Sequence, residues 1–268
     1  MVPAMIRILL LSLIVLVSPV LAETQADVVS ARLLPGWRMA DGNQMAGVQL
    51  QMAPHWKTYW RAPGEAGIPP SFDWSGSQNV KSVVLHWPSP TVITLNGLQS
   101  IGYLDALTLP IEVTPLDPDQ PVEVALRLQL GVCKDICMPA ALQISGALQG
   151  GTIPDPAIAA ALQDGPLSAA EAGLTSITCD LAPIKDGVHI AARIALPKQG
   201  NPETVVFETA DPSVWVATAS SSRDGEILTA ATDLVPGDGA PFAVDRSGVT
   251  VTVLAQDHSV EIKGCPAP

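Results

Sequence analysis

Hydrophobic and polar residues alternate most regularly near the middle of the chain. Over residues 121–132, apolar side chains occupy every second position, and Arg127 and Gln129 lie between them. The same alternation returns over residues 138–145. A period of two is typical of strands with one buried face, so we predict two strands joined as a hairpin. Residues 133–137 form the connection between these strands.

Shorter alternating stretches occur on both sides of this hairpin, separated by turn-forming residues. We predict strands at residues 28–34, 45–53, 80–86, 107–113, 188–196, 204–208, 214–219, 227–231 and 249–254. We predict turns at Pro35-Gly36, Asp41-Gly42, Pro63-Gly64, Asn96-Gly97, Asp186-Gly187, Asp224-Gly225 and Asp238-Gly239. This spacing indicates an all-β protein built from antiparallel sandwiches.

An Ala-rich stretch beginning at residue 150 interrupts the alternation. Within it, Asp155-Pro156 can start a short helix that continues through residues 157–162. We therefore predict an N-terminal domain over residues 23–149, a linker with this helix over 150–175, and a second, smaller β-sandwich-like domain over 176–268.

The first 22 residues have the three-part layout of a secretory signal peptide. Arg7 precedes an apolar run over residues 8–17, and small residues ending at Ala22 supply a cleavage site. The run is shorter than the roughly 20 residues that a membrane-crossing helix needs. We therefore expect a signal peptide over residues 1–22, cleavage near Glu23, and a soluble periplasmic protein.

Acidic side chains outnumber basic ones by 26 to 14. Such a surface repels phosphate backbones, so nucleic acid is not an expected partner. The sequence contains no arguable serine-histidine-acid arrangement, phosphate-binding glycine loop or zinc-type grouping of cysteine and histidine. It therefore predicts no hydrolase or nucleotide-dependent activity, no organic cofactor and no metal site.

The chain contains four cysteines. An even number of cysteines in an exported chain favours disulfides. A bond between Cys179 and Cys265 would enclose nearly the whole second domain and contribute about 4 to 5 kcal/mol in the loop-entropy relation. We predict that this bond is structural. A bond between Cys133 and Cys137 would close a turn of three residues and contribute roughly 2 kcal/mol by the same relation.

The Cys133–Cys137 pair is better suited to disulfide exchange than to stabilising the fold. Extending the alternation places both sulfurs on the face away from the apolar stripe, where a strained surface disulfide is open to exchange. Exchange needs one thiolate to attack a partner's disulfide and a neighbouring thiol to resolve the mixed disulfide. Lys134 favours a thiolate and Asp135 opposes it, so the sign of any pKa shift stays open. A passive surface disulfide is the alternative interpretation.

Three motifs frame this pair of cysteines: residues 55–67 (HWKTYWRAPGEAG), Gly102-Tyr103 leading to Leu107-Thr108-Leu109-Pro110, and Gly131-Val132-Cys133 with Cys137-Met138-Pro139. In this order and spacing they resemble the N-terminal periplasmic domain of DsbD, and more closely its ScsB-like relatives, across residues 28–148. The resemblance implies an immunoglobulin-like β-sandwich for the N-terminal domain, in agreement with the alternation.

The resemblance also implies a thiol:disulfide exchange function. The pair would shuttle between dithiol and disulfide, with Cys137 as the attacking thiol and Cys133 as the resolving one. Electrons would come from a thioredoxin-like or membrane redox protein and pass to an oxidised periplasmic thiol protein, so the membrane is reached only through a partner. The expected surroundings of the pair are Tyr59, Tyr103, Lys134, Asp135, Pro139 and a loop over residues 93–102.

The sequence departs from DsbD in three respects. DsbD continues into a membrane domain and a thioredoxin-like domain that are missing here, so electrons would have to come from another protein. The spacing between the two cysteines is shorter than in DsbD and resembles the ScsB-like branch. Residues 94–98 are comparable with the aromatic cap loop of DsbD but contain no aromatic residue. Whether the disulfide is shielded from solvent is therefore an open question at this point.

Two other classes of function stay open. One is copper binding or copper tolerance, with which ScsB-like proteins are associated, because cysteine and methionine are soft ligands that suit Cu(I). The candidate ligands are Cys133, Cys137, Met138, Met45, Met52 and His55. The other is a non-catalytic binding module, since sandwich domains often serve as interaction scaffolds.

Overall fold

The structure is a computed structural model that describes residues 24–65, 67–95, 98–148, 151–237 and 243–268. The regular secondary structure of the described chain is nearly all β-strand, which confirms the predicted fold class. No helix among these residues is long and apolar enough to span a membrane.

Some sequence predictions fall outside the described residues. These are the signal peptide over residues 1–22 and the turns at Asn96-Gly97 and Asp238-Gly239. The domain boundaries at residues 149 and 175 stay predictions.

The N-terminal sandwich, as we call the sheets formed by residues 29–147, consists of two antiparallel sheets around one core. One sheet has the strand order β1-β2-β8-β5, and the other has the order β10-β9-β3-β7-β6 with β4 paired to β9. This arrangement is the predicted immunoglobulin-like sandwich. The strands are β1 Val29–Arg38, β2 Gln44–Met52, β3 Lys57–Tyr59, β4 Ser71–Asp73, β5 Val80–Leu85, β6 Thr91–Leu95, β7 Leu98–Leu104, β8 Ala106–Pro115, β9 Glu123–Cys133 and β10 Cys137–Ala147.

The alternation of apolar and polar residues in β9 matches which of its side chains lie in the core of this sandwich. Its apolar side chains at every second position from Val124 to Val132 are buried, while Arg127 and Gln129 face outward. Burial of a side chain of this size contributes roughly 1.5 to 3 kcal/mol. The predicted hairpin is present, because β10 pairs with β9 along its whole length.

The C-terminal sandwich, formed by residues 167–263, has its own core between two sheets. A parallel pair joins β11 to β19, and the other pairings are antiparallel. Its sheet orders are β11-β19-β18-β14 and β12-β13-β17-β15, with β16 paired to β17. The strands are β11 Leu167–Ser168, β12 Ser176–Ile184, β13 Gly187–Ala195, β14 Thr204–Glu208, β15 Val214–Val216, β16 Ser220–Asp224, β17 Ile227–Pro236, β18 Thr250–Leu254 and β19 Ser259–Lys263.

The predicted turn at Pro35-Gly36 is wrong, because β1 runs through it. The register against β2 shifts between Leu34 and Trp37, which marks a bulge. Gly36 has a φ of 62°, and a Cβ at this position would collide with the backbone carbonyl of Met45. Glycine is therefore required by the close approach of the two strands rather than by a chain reversal.

Residues 151–175 are more structured than the predicted linker. A first short helix, α1 Gln25–Val28, precedes β1, and the second, α2 Pro156–Gln163, lies in this stretch. The carboxylate of Asp155 caps α2 by accepting hydrogen bonds from the backbone of Ala157 and Ile158. Ile158 is fully buried against the N-terminal sandwich, whereas β11 joins a sheet of the C-terminal sandwich.

The two sandwiches contact each other directly. Leu254 of β18 is buried as part of the N-terminal core. The hydroxyl of Ser89 forms a hydrogen bond with that of Ser259 at 2.8 Å. Arg61 adds ion pairs to the C-terminal sandwich.

Candidate functional site

The β9–β10 hairpin places the two central cysteines directly opposite each other. Cys133 ends β9 and Cys137 begins β10, so the turn between them has only three residues. Their Cα atoms lie 4.1 Å apart, and their sulfurs form a disulfide bond. A strand that continued straight through this segment would hold the Cα atoms too far apart to bond.

The two sulfurs have different environments. Cys133 is 1% exposed, whereas Cys137 is exposed. The expectation that both would lie at the surface is therefore wrong for Cys133. Alternation assigns a residue to a face of the sheet, but it does not show what covers that face.

Tyr59 and Ile68 cover the sheet beside Cys133. A Cβ at Gly131 would lie only 3.0 Å from the ring of Tyr59 and 3.4 Å from the Cβ of Ile68. Glycine at this position lets the ring of Tyr59 lie close to the backbone of β9. Tyr59, the last residue of β3, thus lies over Cys133, whereas Cys137 is exposed to solvent.

The hydroxyl of Tyr59 contacts both sulfurs. Its oxygen lies 2.9 Å from Cys133 Sγ and 3.6 Å from Cys137 Sγ. The sulfurs of a disulfide carry no hydrogen, so the hydroxyl is the donor. Burial raises the pKa of Tyr59, and this keeps the proton on the phenol at neutral pH.

A buried lysine lies across the sheet from Cys133. Lys57 pairs with Cys133 in register, is 7% exposed, and donates from Nζ to Ser100 Oγ at 2.8 Å. Its Nζ also lies 5.8 Å from the centre of the Tyr59 ring. In the described part of the chain, Lys57 forms no ion pair with a carboxylate. Burial lowers the pKa of Lys57.

The sequence analysis gave Lys57 no role. A signal was present, since Lys57 and Tyr59 lie two positions apart and therefore project to the same face of a strand. What brings them to Cys133 is the pairing of β3 with β9, which local periodicity does not reveal.

Replacing Lys57 by methionine should raise the pKa of the Cys133 thiol in the reduced protein, because a nearby positive charge favours the thiolate. The measurement is thiolate absorbance against pH in a Cys137→Ala background. Lys134→Met is the matched control, since Lys134 follows Cys133 directly but is exposed to solvent that screens its charge. A larger shift in the control than in Lys57→Met would contradict this prediction.

Three other expected neighbours of the pair lie on the hairpin. Lys134 and Asp135 are exposed in the turn, and Pro139 of β10 is exposed opposite Gly131. In the predicted loop over residues 93–102, residues 93–95 belong instead to β6 and residues 98–102 to β7. Ser100, the partner of Lys57, belongs to β7.

Tyr103 does not belong to these surroundings. It pairs with Thr58, which pairs with Val132, so its side chain shares the core face with Val132 and not the face of Cys133. Its hydroxyl donates to the carbonyl of Pro88 at 2.8 Å, and burial raises its pKa well above the usual value. The sequence prediction for Tyr103 is therefore corrected, because adjacent positions on a strand face opposite sides.

The candidate copper ligands are not brought together. Met45 packs with Ile158 and Met52 lies in the N-terminal core, while His55 is exposed. Met138 pairs with Val132 and thus faces away from Cys137. Within the described residues, no three or more His, Cys, Asp or Glu side chains are grouped to hold a metal ion.

The second pair of cysteines lies in the core of the C-terminal sandwich. Cys179 on β12 and Cys265 after β19 form a disulfide with Cα atoms 5.5 Å apart, and both residues are buried. The backbone N–H of Cys179 also donates to the carbonyl of Pro266. The bond thus ties the last residues of the chain to the first long strand of this sandwich.

Comparison with known proteins finds one matching family and a similar solved structure. Residues 26–147 match the family described as "Thiol:disulfide interchange protein DsbD, N-terminal". The crystal structure of the N-terminal periplasmic domain of ScsB from Proteus mirabilis is similar with a TM-score of 0.65 and 21% identity, over 92% of this chain and 96% of that one. The similarity of fold thus includes both sandwiches. No curated protein matches the sequence.

Proposed function

Residues 26–147 form a DsbD/ScsB-like N-terminal domain, and from this premise we propose that the protein exchanges disulfides with periplasmic thiol proteins through Cys133 and Cys137. Thiol:disulfide interchange is the activity of the matched family. The observation that carries the proposal for this chain is the unequal exposure of the two bonded cysteines.

Unequal exposure directs an incoming thiolate to one sulfur. In the step that reduces the protein, a donor thiolate attacks Sγ of the exposed Cys137. The bond to Cys133 breaks, and Cys133 leaves as a thiolate. The hydroxyl of Tyr59, 2.9 Å from Cys133 Sγ, can donate to this anion. The buried ammonium of Lys57 lowers the free energy of the same charge. A second donor thiolate then releases Cys137, and two protons complete the dithiol.

The forward transfer reverses these steps. The Cys137 thiolate attacks a disulfide in the oxidised partner and forms a mixed disulfide, and the second partner cysteine leaves as a thiolate. Cys133 then attacks Cys137 Sγ, which restores the intramolecular bond and releases the partner as a dithiol. Two electrons and two protons pass to the partner, and no organic cofactor is needed because sulfur carries the whole exchange.

The electron donor in this proposal is a thioredoxin-like or membrane redox protein, and the acceptor is an oxidised periplasmic thiol protein. Exposed Ile136, Lys134 and Asp135 surround the open side of Cys137 and supply a small docking surface for either partner. The expected signal peptide and the periplasmic domain of ScsB that matches the fold support a periplasmic location.

A redox titration tests the proposal. In graded glutathione buffers with thiol trapping, the Cys133–Cys137 pair should show a midpoint between about −120 and −270 mV, the range of known exchange proteins. The Cys179–Cys265 bond is an internal control: its midpoint should lie below about −300 mV, as for structural disulfides, so it should stay oxidised where the Cys133–Cys137 pair is reduced. If both pairs titrate below about −300 mV, exchange is not the function and a non-catalytic binding module becomes the better interpretation.

A further inference from the structure

Residues 60–65 and 67–69, which we call the covering segment, connect the disulfide to the C-terminal sandwich. The segment begins directly after Tyr59, whose hydroxyl contacts both sulfurs. It contains Ile68, which lies beside Tyr59 over Gly131. Movement of this segment would therefore shift Tyr59, the side chain that lies over Cys133.

The C-terminal sandwich holds the start of the covering segment through Arg61. The guanidinium donates to both carboxylate oxygens of Glu208 at 2.8 and 3.0 Å, and to Glu261 at 2.6 Å. It also lies over the ring of Trp60 at 4.6 Å. All three charged side chains are largely buried, and the two carboxylates raise the pKa of Arg61 against the opposing effect of burial. Paired, charge-assisted hydrogen bonds of this kind fix geometry as well as position.

A second contact holds the segment closer to Ile68. The backbone N–H of Thr218, in the C-terminal sandwich, donates to a carboxylate oxygen of Glu65 at 3.0 Å. Arg61 and Glu65 therefore reach separate elements of the C-terminal sandwich, since Glu208 ends β14 and Thr218 follows β15. The N-terminal sandwich also holds the segment, where the N–H of Ile101 donates to the carbonyl of Pro63.

We propose that the C-terminal sandwich positions the covering segment and thereby holds Tyr59 over Cys133, with Glu208 and Glu261 as positioning residues that act through Arg61. This inference rests on the proposed function, because coverage matters only if the disulfide exchanges. The second sandwich then keeps the leaving sulfur buried while Cys137 stays open, so that attack is confined to one sulfur. It thereby acts on the site without contributing an atom to it.

The rate of alkylation of Cys133 by iodoacetamide tests this role. The measurement uses the full chain in a Cys137→Ala background, in which Cys133 is the one free thiol while Cys179 and Cys265 stay bonded. We expect Glu208→Gln combined with Glu261→Gln to raise the alkylation rate roughly fivefold or more, because local opening of the segment becomes more frequent. A pH series separates a change of access from a change of thiol pKa, since access alters the plateau rate and not the midpoint.

Glu203→Gln is the matched control. Glu203 forms an equally direct ion pair with Arg223 inside the C-terminal sandwich, at 2.5 and 2.8 Å, and its side chain is 6% exposed. No hydrogen bond or ion pair among the described residues joins Glu203 or Arg223 to the covering segment. If the double variant and the control alkylate Cys133 at rates within about twofold of each other, the carboxylates act on stability alone and the proposal is overturned.

Glu65 gives an independent test if the double variant does not fold. Glu65→Ala removes the acceptor for Thr218 and should raise the alkylation rate, whereas Glu65→Gln keeps an acceptor oxygen and should leave it unchanged. Equal rates in both variants would also overturn the proposal. Alkylation reports coverage alone, so the redox titration of the unaltered protein tests exchange separately, whatever the alkylation rates are.

Discussion

A Cys137→Ala variant should lose disulfide exchange by at least about a thousandfold, because the attacking group itself is removed. Cys133 cannot replace it, since this residue is buried and Tyr59 contacts its sulfur. The measurement starts from the reduced protein, adds oxidised glutathione, and follows the formation of the mixed disulfide by mass spectrometry. Oxidised glutathione is a suitable probe because an accessible protein thiolate attacks its disulfide and releases one glutathione thiolate without needing a specific partner surface.

Cys133→Ala is the matched variant for this experiment. It keeps the exposed thiol and removes the resolving one, so the mixed disulfide should form at a rate near that of the unaltered protein and then persist. The same variant is the natural choice for trapping partners. If instead Cys133→Ala fails to form the mixed disulfide while Cys137→Ala succeeds, the two roles are reversed.

Removing the Cys179–Cys265 bond should have the largest effect on stability. The bond links residues 86 positions apart, and the loop-entropy relation gives a loss of about 4 to 5 kcal/mol in the free energy of unfolding. The loss acts on the C-terminal sandwich, whose core contains both sulfurs. Urea denaturation of a Cys179→Ala, Cys265→Ala variant measures it, with separate transitions expected for the two sandwiches.

The comparison for this experiment is a Cys133→Ala, Cys137→Ala variant. That bond closes a loop of only four positions, so its loss should lower the free energy of unfolding by roughly half as much. An equal or larger loss from the hairpin pair would indicate that the Cys133–Cys137 bond supports the fold, and it would weaken the case for an exchange role.

Local sequence patterns determined much of the fold. Alternation over residues 121–132 predicted β9, its buried face and its pairing with β10, because a strand's side chains alternate between faces whatever surrounds it. A bond between Cys133 and Cys137 required a tight turn, because an extended chain would hold their Cα atoms too far apart. Short strands were less accessible to this reasoning: β3 has three residues and β4 three, too few to show a period.

The sequence alone determined the β class, the hairpin and the pair of cysteines that it joins, because each depends on residues close together in the chain. Only the tertiary structure decided which sulfur is buried, since this depends on β3 and the covering segment lying against β9. It also placed Lys57 opposite Cys133, turned Tyr103 into the core, and joined Arg61 to Glu208 and Glu261. These contacts join residues that are far apart in sequence or set by strand pairing, and local periodicity carries no information about them.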